Sequence, residues 1–124
     1  MGYWISMERD MDLCRDILAA LEQAPFANVF AKIEIPGYTP EQVAYHIYLL
    51  HTAGLIGAVN ASVQEGPRWF AQNMTMAGHD FLDLARNNTN WNKAKSFIAE
   101  KGQSLTIETM KAVLMSITKH VLGF

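Results

Sequence analysis

Residues 39–56 read TPEQVAYHIYLLHTAGLI, and this stretch decides the fold. Thr39 is placed to cap a helix. Pro40 takes the first helical position, where a missing N–H costs nothing, and Gln42 completes a capping box. Val43, Ile47 and Leu50 form one apolar stripe. Gly54 ends the helix, and Leu55 and Ile56 lead into a strand. The opposite face carries Gln42, Tyr45, Tyr48 and Thr52, with Leu49 at its margin. It holds no lysine and no arginine.

The flanking segments supply the partners of this helix. Residues 8–24, ERDMDLCRDILAALEQA, predict an amphipathic helix beginning near Met7. Met11, Cys14, Ile17, Leu18 and Leu21 fall on one stripe, acidic residues crowd the first turns, and Pro25 stops it. A short β segment is expected over 29–35, followed by a turn at 36–38, Pro-Gly-Tyr. After the central helix, Val59, Ala61 and Val63 alternate with Asn60, Ser62 and Gln64, the period of a half-buried strand. Residues 65–68, EGPR, read as a hairpin tip, and 69–74, WFAQNM, as the returning strand. Three helices complete the chain. One spans 75–87, capped by Thr75, with Phe81, Leu82 and Ala85 inward. A second spans 90–101, with Trp91, Ala94 and Ile98 on one face. The third spans 105–122, with Ile107, Met110, Leu114, Ile117 and Val121 aligned and Lys111 and Lys119 outside the stripe. Gly102 separates the last two.

Helix, short strand, capped helix, β-hairpin wing and a following helix make an α+β, winged-helix-like layout with two added C-terminal helices. The strings ERDMDLCRDIL, GYTPEQVAYHIYLLHTAGLI, MTMAGHDFLD and NWNKAK, in this order, resemble the prokaryotic and phage family known as domain of unknown function 2513. The likeness covers roughly residues 7–122. It implies a winged-helix-like fold and a bacterial or phage setting, and it implies no activity. On this reading residues 1–6 are an extension, 7–89 the core and 90–124 a helical extension of the same domain. One departure stands out. A winged helix normally places two helices between its first strand and the hairpin, and here only one fits between Gly37 and Leu55.

Composition bounds the function. A chain of 124 residues, half of them apolar and 18% charged, is sized for one ordered domain. No apolar run approaches the roughly 18 residues that span a bilayer, and the start MGYWIS lacks the features of a signal peptide. A single cysteine, Cys14, excludes an internal disulfide, and a cytoplasmic protein is expected. Gly2 and Ser6 fit the short myristoylation pattern, against the simpler reading of a leader. The triplets at Asn60, Asn73 and Asn87 match glycosylation acceptors, which stay idle without secretion.

DNA affinity comes largely from Lys and Arg on phosphate, and from Ile33 through Pro67 the chain has neither. Residues 1–62 hold three basic side chains against seven acidic, and residues 63–124 seven against five. The presumed reading half is thus the acidic one. Gln42 and Thr52 are able to reach base edges and tyrosine hydroxyls phosphate, with Arg68 and Trp69 on the wing, so a weak DNA mode stays open. A face with two tyrosines is better suited to a protein partner, while packing of Tyr45 and Tyr48 against the wing or the C-terminal helices is the plainer alternative.

No catalytic constellation emerges. His79-Asp80 is a dipeptide without further ligands, and His46 and His51 are five residues apart, a poor spacing for one helical face. His46 is expected to pack beside Ile47. His120 sits at a helix C-terminus, where the dipole accounts for it, and Cys14 is expected in the core. Lys93, Lys95 and Lys101 around Trp91 read as a solvated face, with a backbone-binding patch as the minority reading. The expectation is a non-enzymatic protein with no catalytic residue, metal or cofactor. It acts through a protein partner, with a sequence-specific DNA-binding regulator as the alternative. It is also expected to form a homodimer through Met110, Leu114, Ile117 and Val121.

Overall fold

Asp10 sets the start of the first helix. Its carboxylate Oδ1 accepts the Leu13 N–H at 3.1 Å, so α1 spans Met11–Gln23 and leaves Glu8 and Arg9 outside. The structure, a computed structural model, describes residues 8–24, 33–61 and 68–122, with side chains through His120. Among these residues are α1, α2 (Pro40–Thr52), β1 (Ile56–Asn60), β2 (Trp69–Met74), α3 (Met76–Ala85), α4 (Asn88–Glu100) and α5 (Ile107–Leu122). The class is α+β, with five helices and one two-stranded antiparallel hairpin among the described residues.

The apolar stripe expected on α1 is buried, joined by Leu13, which the stripe left out. The β segment expected over 29–35 is not seen where it is described: residues 33–35 are irregular, and 29–32 lie outside the described residues. Between them and α2 is only the turn, closed by the Tyr38 N–H donating to the Ile35 carbonyl at 3.2 Å and passing through Gly37 at φ 88°. Among the described residues 33–39 no further helix precedes α2, in keeping with the departure noted in the sequence.

The hairpin corrects one register. β1 begins at Ile56, three residues before the alternating run, because the helix C-cap at Ala53 and the left-handed Gly54 (φ 82°) deliver the chain straight into the ladder. Gly57 pairs with Asn73 and Ala58 with Ala71, which leaves Gln72 as a bulge. The bulge breaks the two-residue period of β2, so Gln72 and Asn73 are both exposed instead of alternating. Residues 62–67, including most of the tip, lie outside the described residues. Below the tip, the Ala61 N–H donates to the Arg68 carbonyl at 2.8 Å. β2 has the predicted bounds.

Thr75 fastens α3 to the corner between α2 and β1. Its hydroxyl donates to the Gly54 carbonyl at 2.6 Å and accepts the Gly78 N–H at 3.1 Å, while its own N–H donates to the Leu55 carbonyl at 2.9 Å. Gly78 is required by this approach. A Cβ there would overlap the Leu55 carbonyl oxygen and lie 2.6 Å from Met74 Cγ. Alanine would gain about 1 kcal/mol of helix propensity, but forcing a methyl against backbone costs about 1–3 kcal/mol or more. Gly78→Ala is therefore expected to lower stability despite the better helix former, and a thermal melt showing an unchanged or raised midpoint would refute the close approach.

The chain divides into two compact units, Met1–His79 and Asp80–Phe124, the division falling within α3. In the first, the core is built by Leu13, Ile17 and Leu18 from α1, Val43, Ile47 and Leu50 from α2, and Ile56 and Ala71 from the hairpin. In the second, Phe81, Leu82, Ala85, Trp91, Ala94, Ile98, Met110 and Leu114 are buried. No helix among the described residues is long and apolar enough to cross a membrane.

Candidate functional site

The outer face of α2 is set by how the helix is anchored. Thr39 Oγ1 accepts the Gln42 N–H at 3.1 Å, and the Thr39 N–H donates to Gln42 Oε1 at 2.9 Å, the reciprocal capping box. One turn on, His46 is 2% exposed. The Asp10 backbone N–H donates to its Nε2 at 2.8 Å, and its Nδ1 lies 2.8 Å from the Gln42 carbonyl. Nε2 accepts, so the proton sits on Nδ1 and the ring is a neutral spacer with both nitrogens used. The carboxylate of Asp10 also accepts the Tyr38 hydroxyl at 2.8 Å. That hydrogen bond, with burial and the nearby acidic charges, pushes Tyr38 up to about 12. Asp10 thus ties the start of α1, the turn and the inner side of α2 together, and fixes the roll of α2.

With Val43, Ala44, His46, Ile47 and Leu50 buried, Glu41, Tyr45, Tyr48 and Thr52 share the opposite face by their four- and three-residue spacing. Three aromatic rings line up there. Tyr45 stacks on Tyr48 with centroids 6.2 Å apart and planes at 28°, and Tyr48 meets Trp69 of β2 at 5.2 Å and 52°. His51 also borders Trp69 at 5.8 Å, while its Nδ1 lies 3.3 Å from the Ile56 carbonyl. Ala71, two residues along β2 from Trp69, is fully buried. The row is partly open: Tyr48 is 38% exposed, and Tyr45 and Trp69 are half-buried.

The other expected residues divide. Gln42 is half-buried and its amide oxygen is held by the cap. Thr52 is exposed, but its hydroxyl donates to the Leu49 carbonyl at 2.8 Å. Each thus has one polar group already engaged at α2. Arg68 is exposed at the base of the tip. Missing from the sequence reading is His51 as an edge of the row, a placement that depends on the hairpin register.

Reactive-looking side chains have structural surroundings. The Cys14 thiol is buried and pushed up to about 12, by desolvation first and then by the charge of Asp10, so it is protonated at neutral pH. His79 and Asp80 are both exposed. Among the described residues no group of three or more His, Cys, Asp or Glu is placed to hold a metal. Trp91 is fully buried against Phe81, ring to ring at 6.2 Å and 85°, so it is no exposed companion for Lys93 or Lys95. Lys101 instead lies over Phe97, 5.5 Å from the ring centre.

On α5, Met110 and Leu114 are 0% and 1% exposed within one chain. Ile117 is half-buried, and Val121 lies outside the described side chains. On the exposed side of α5, Ala112, Met115, Ser116, Lys119 and His120 line a shallow depression.

Comparison with known proteins gives a family and a relative. A family model for hypothetical proteins, DUF2513, matches residues 8–104. An uncharacterized protein of Haemophilus influenzae is 36% identical over 118 residues, covering 94% of this chain and 100% of its own length. No solved structure matches.

Proposed function

This chain belongs to the DUF2513 family of hypothetical proteins, and from that premise we propose that it is a small cytoplasmic interaction or regulatory protein of bacterial or phage origin. It is non-enzymatic and acts through a protein partner held on the outer face of α2. Its fold is a reduced winged helix: the helix before the reading helix is replaced by the turn at 36–38, and β1 and β2 form the wing. The observation that carries the reading is the part-open row Tyr45–Tyr48–Trp69, beside a face of α2 with no lysine or arginine. Tyrosine and tryptophan are the side chains that most often anchor protein interfaces. A DNA reader would need phosphate contacts, and the capping and back-bonding of Gln42 and Thr52 engage an amide oxygen and a hydroxyl proton suited to base edges. A second copy, if it pairs through α5, does so with the Met115 side of the helix.

A photoreactive phenylalanine analogue at position 48 tests this in the native host. The expected product is a discrete crosslinked protein. The isolated chain is expected to bind duplex DNA no tighter than about micromolar at physiological salt, the range of non-specific contacts. Crosslinked nucleic acid, or a sequence-selective complex of about 10 nM or tighter, would replace the reading with the DNA-binding regulator.

A further inference from the structure

We propose that the partner segment seated on the row Tyr45–Tyr48–Trp69 is cationic, with an arginine side chain laid against the rings and a second basic residue facing Glu41. This rests on the protein-docking reading above and adds the chemistry of what docks.

The argument is one of charge and ring chemistry together. Aromatic faces carry the negative part of the ring quadrupole, and a planar guanidinium is the side chain that best combines stacking with charge. The three rings lie in sequence at 6.2 and 5.2 Å, a surface longer than one flat group. At one end, Glu41 is exposed on the same helical face. At the other, the row reaches the C-terminal turn of α2, where the helix dipole favours positive charge. Between Ile33 and Pro67 the chain supplies no lysine or arginine of its own. The compact unit that bears the row, residues 1–79, has four basic residues against eight acidic. An anionic or nucleic-acid occupant would meet this charge unfavourably. A purely apolar one would leave Glu41 facing a desolvated surface. In the unit 80–124 the same chemistry occurs internally, where Lys101 lies over Phe97.

The full-length chain, isotopically labelled, is titrated by NMR with short glycine-serine peptides of equal length. One carries spaced arginines, one leucines and one glutamates; a fourth titrant is single-stranded oligothymidine. The arginine peptide is expected to shift the signals of Tyr45, Tyr48 and the Trp69 indole. Its affinity should fall roughly tenfold or more in Tyr48→Ala, as for an anchor residue, and about threefold in Glu41→Gln, as for an exposed ion pair. A leucine peptide that binds the row as well as the arginine one overturns the cationic occupant and leaves the docking reading standing. Oligothymidine binding there instead overturns both. Arginine binding that Tyr48→Ala does not weaken reduces the effect to diffuse attraction and overturns the proposal, as does the absence of binding by any peptide. Self-association at these three residues without peptide makes a second copy the occupant and overturns it as well.

Discussion

Trp91→Ala is expected to cost the unit 80–124 about 3–5 kcal/mol, the range for emptying a fully buried tryptophan site. The ring is 0% exposed, and the edge of its contact with Phe81 is lost with it. Ala94 and Ile98 of α4 share its buried stripe and are too short to refill the space. Such a loss is a large part of the stability of a small protein, about 5–15 kcal/mol in total. Trp91→Phe keeps an aromatic partner for Phe81 and should cost less. Hydrogen exchange along α4 and α5 reads the effect within this unit, and a denaturant titration reads it for the chain. The outcome also decides between two accounts of the lysines on α4. If Trp91 were a stacking platform beside Lys93 and Lys95, its removal would leave stability nearly unchanged and weaken only binding. Protection of α4 as strong in Trp91→Ala as in the parent would favour that account.

What could be read from the sequence was whatever depends on neighbours along the chain. Thr39, Pro40 and Gln42 fixed the start of α2 because a capping box is a local device. The stripes of α1, α2 and α4 were legible because burial follows the helical period. Asp10 was missed as a cap although it too is local, since the acidic run Glu8–Asp16 offers several candidates and only the contacts of Tyr38 and His46 single one out. The bulge at Gln72 was illegible for another reason. It depends on which residue of β1 faces which residue of β2, and a two-residue period cannot report where it slips. The site shows the same boundary. Tyr45 and Tyr48 were identified from helical spacing. Their continuation into Trp69 and His51 needed the hairpin folded back on α2, which no spacing encodes. The stripe on α5 was legible as a stripe, whereas its use is not encoded in the period. Periodicity marks Met110 and Leu114 as apolar in line without saying whether a second chain or the chain itself covers them.

Ile47→Ala and the double change Tyr45→Ala, Tyr48→Ala should move α2 in opposite ways. Ile47 is 3% exposed and faces the core of the first unit, so its truncation is expected to cost about 2–5 kcal/mol through transfer and cavity terms. The tyrosines stand on the other side. Their stacking on each other and on Trp69 is worth about 0.5–1.5 kcal/mol per aromatic pair, so the double variant should lose some stability but less than Ile47→Ala. The cost exceeds the roughly 0.5 kcal/mol typical of isolated surface changes, because these rings touch each other as well as solvent. Binding should rank the variants the other way. Loss of two anchor rings is expected to weaken the partner complex by about 2 kcal/mol or more per ring. Ile47→Ala, assayed at a temperature where it is still folded, should bind nearly as the parent does. Melting curves and titrations on the same preparations separate the two properties. A double tyrosine variant that melts as early as Ile47→Ala would mean that the row is part of the core, because the free energy of its stacking would then be spent on holding β2 to α2 and not on a partner.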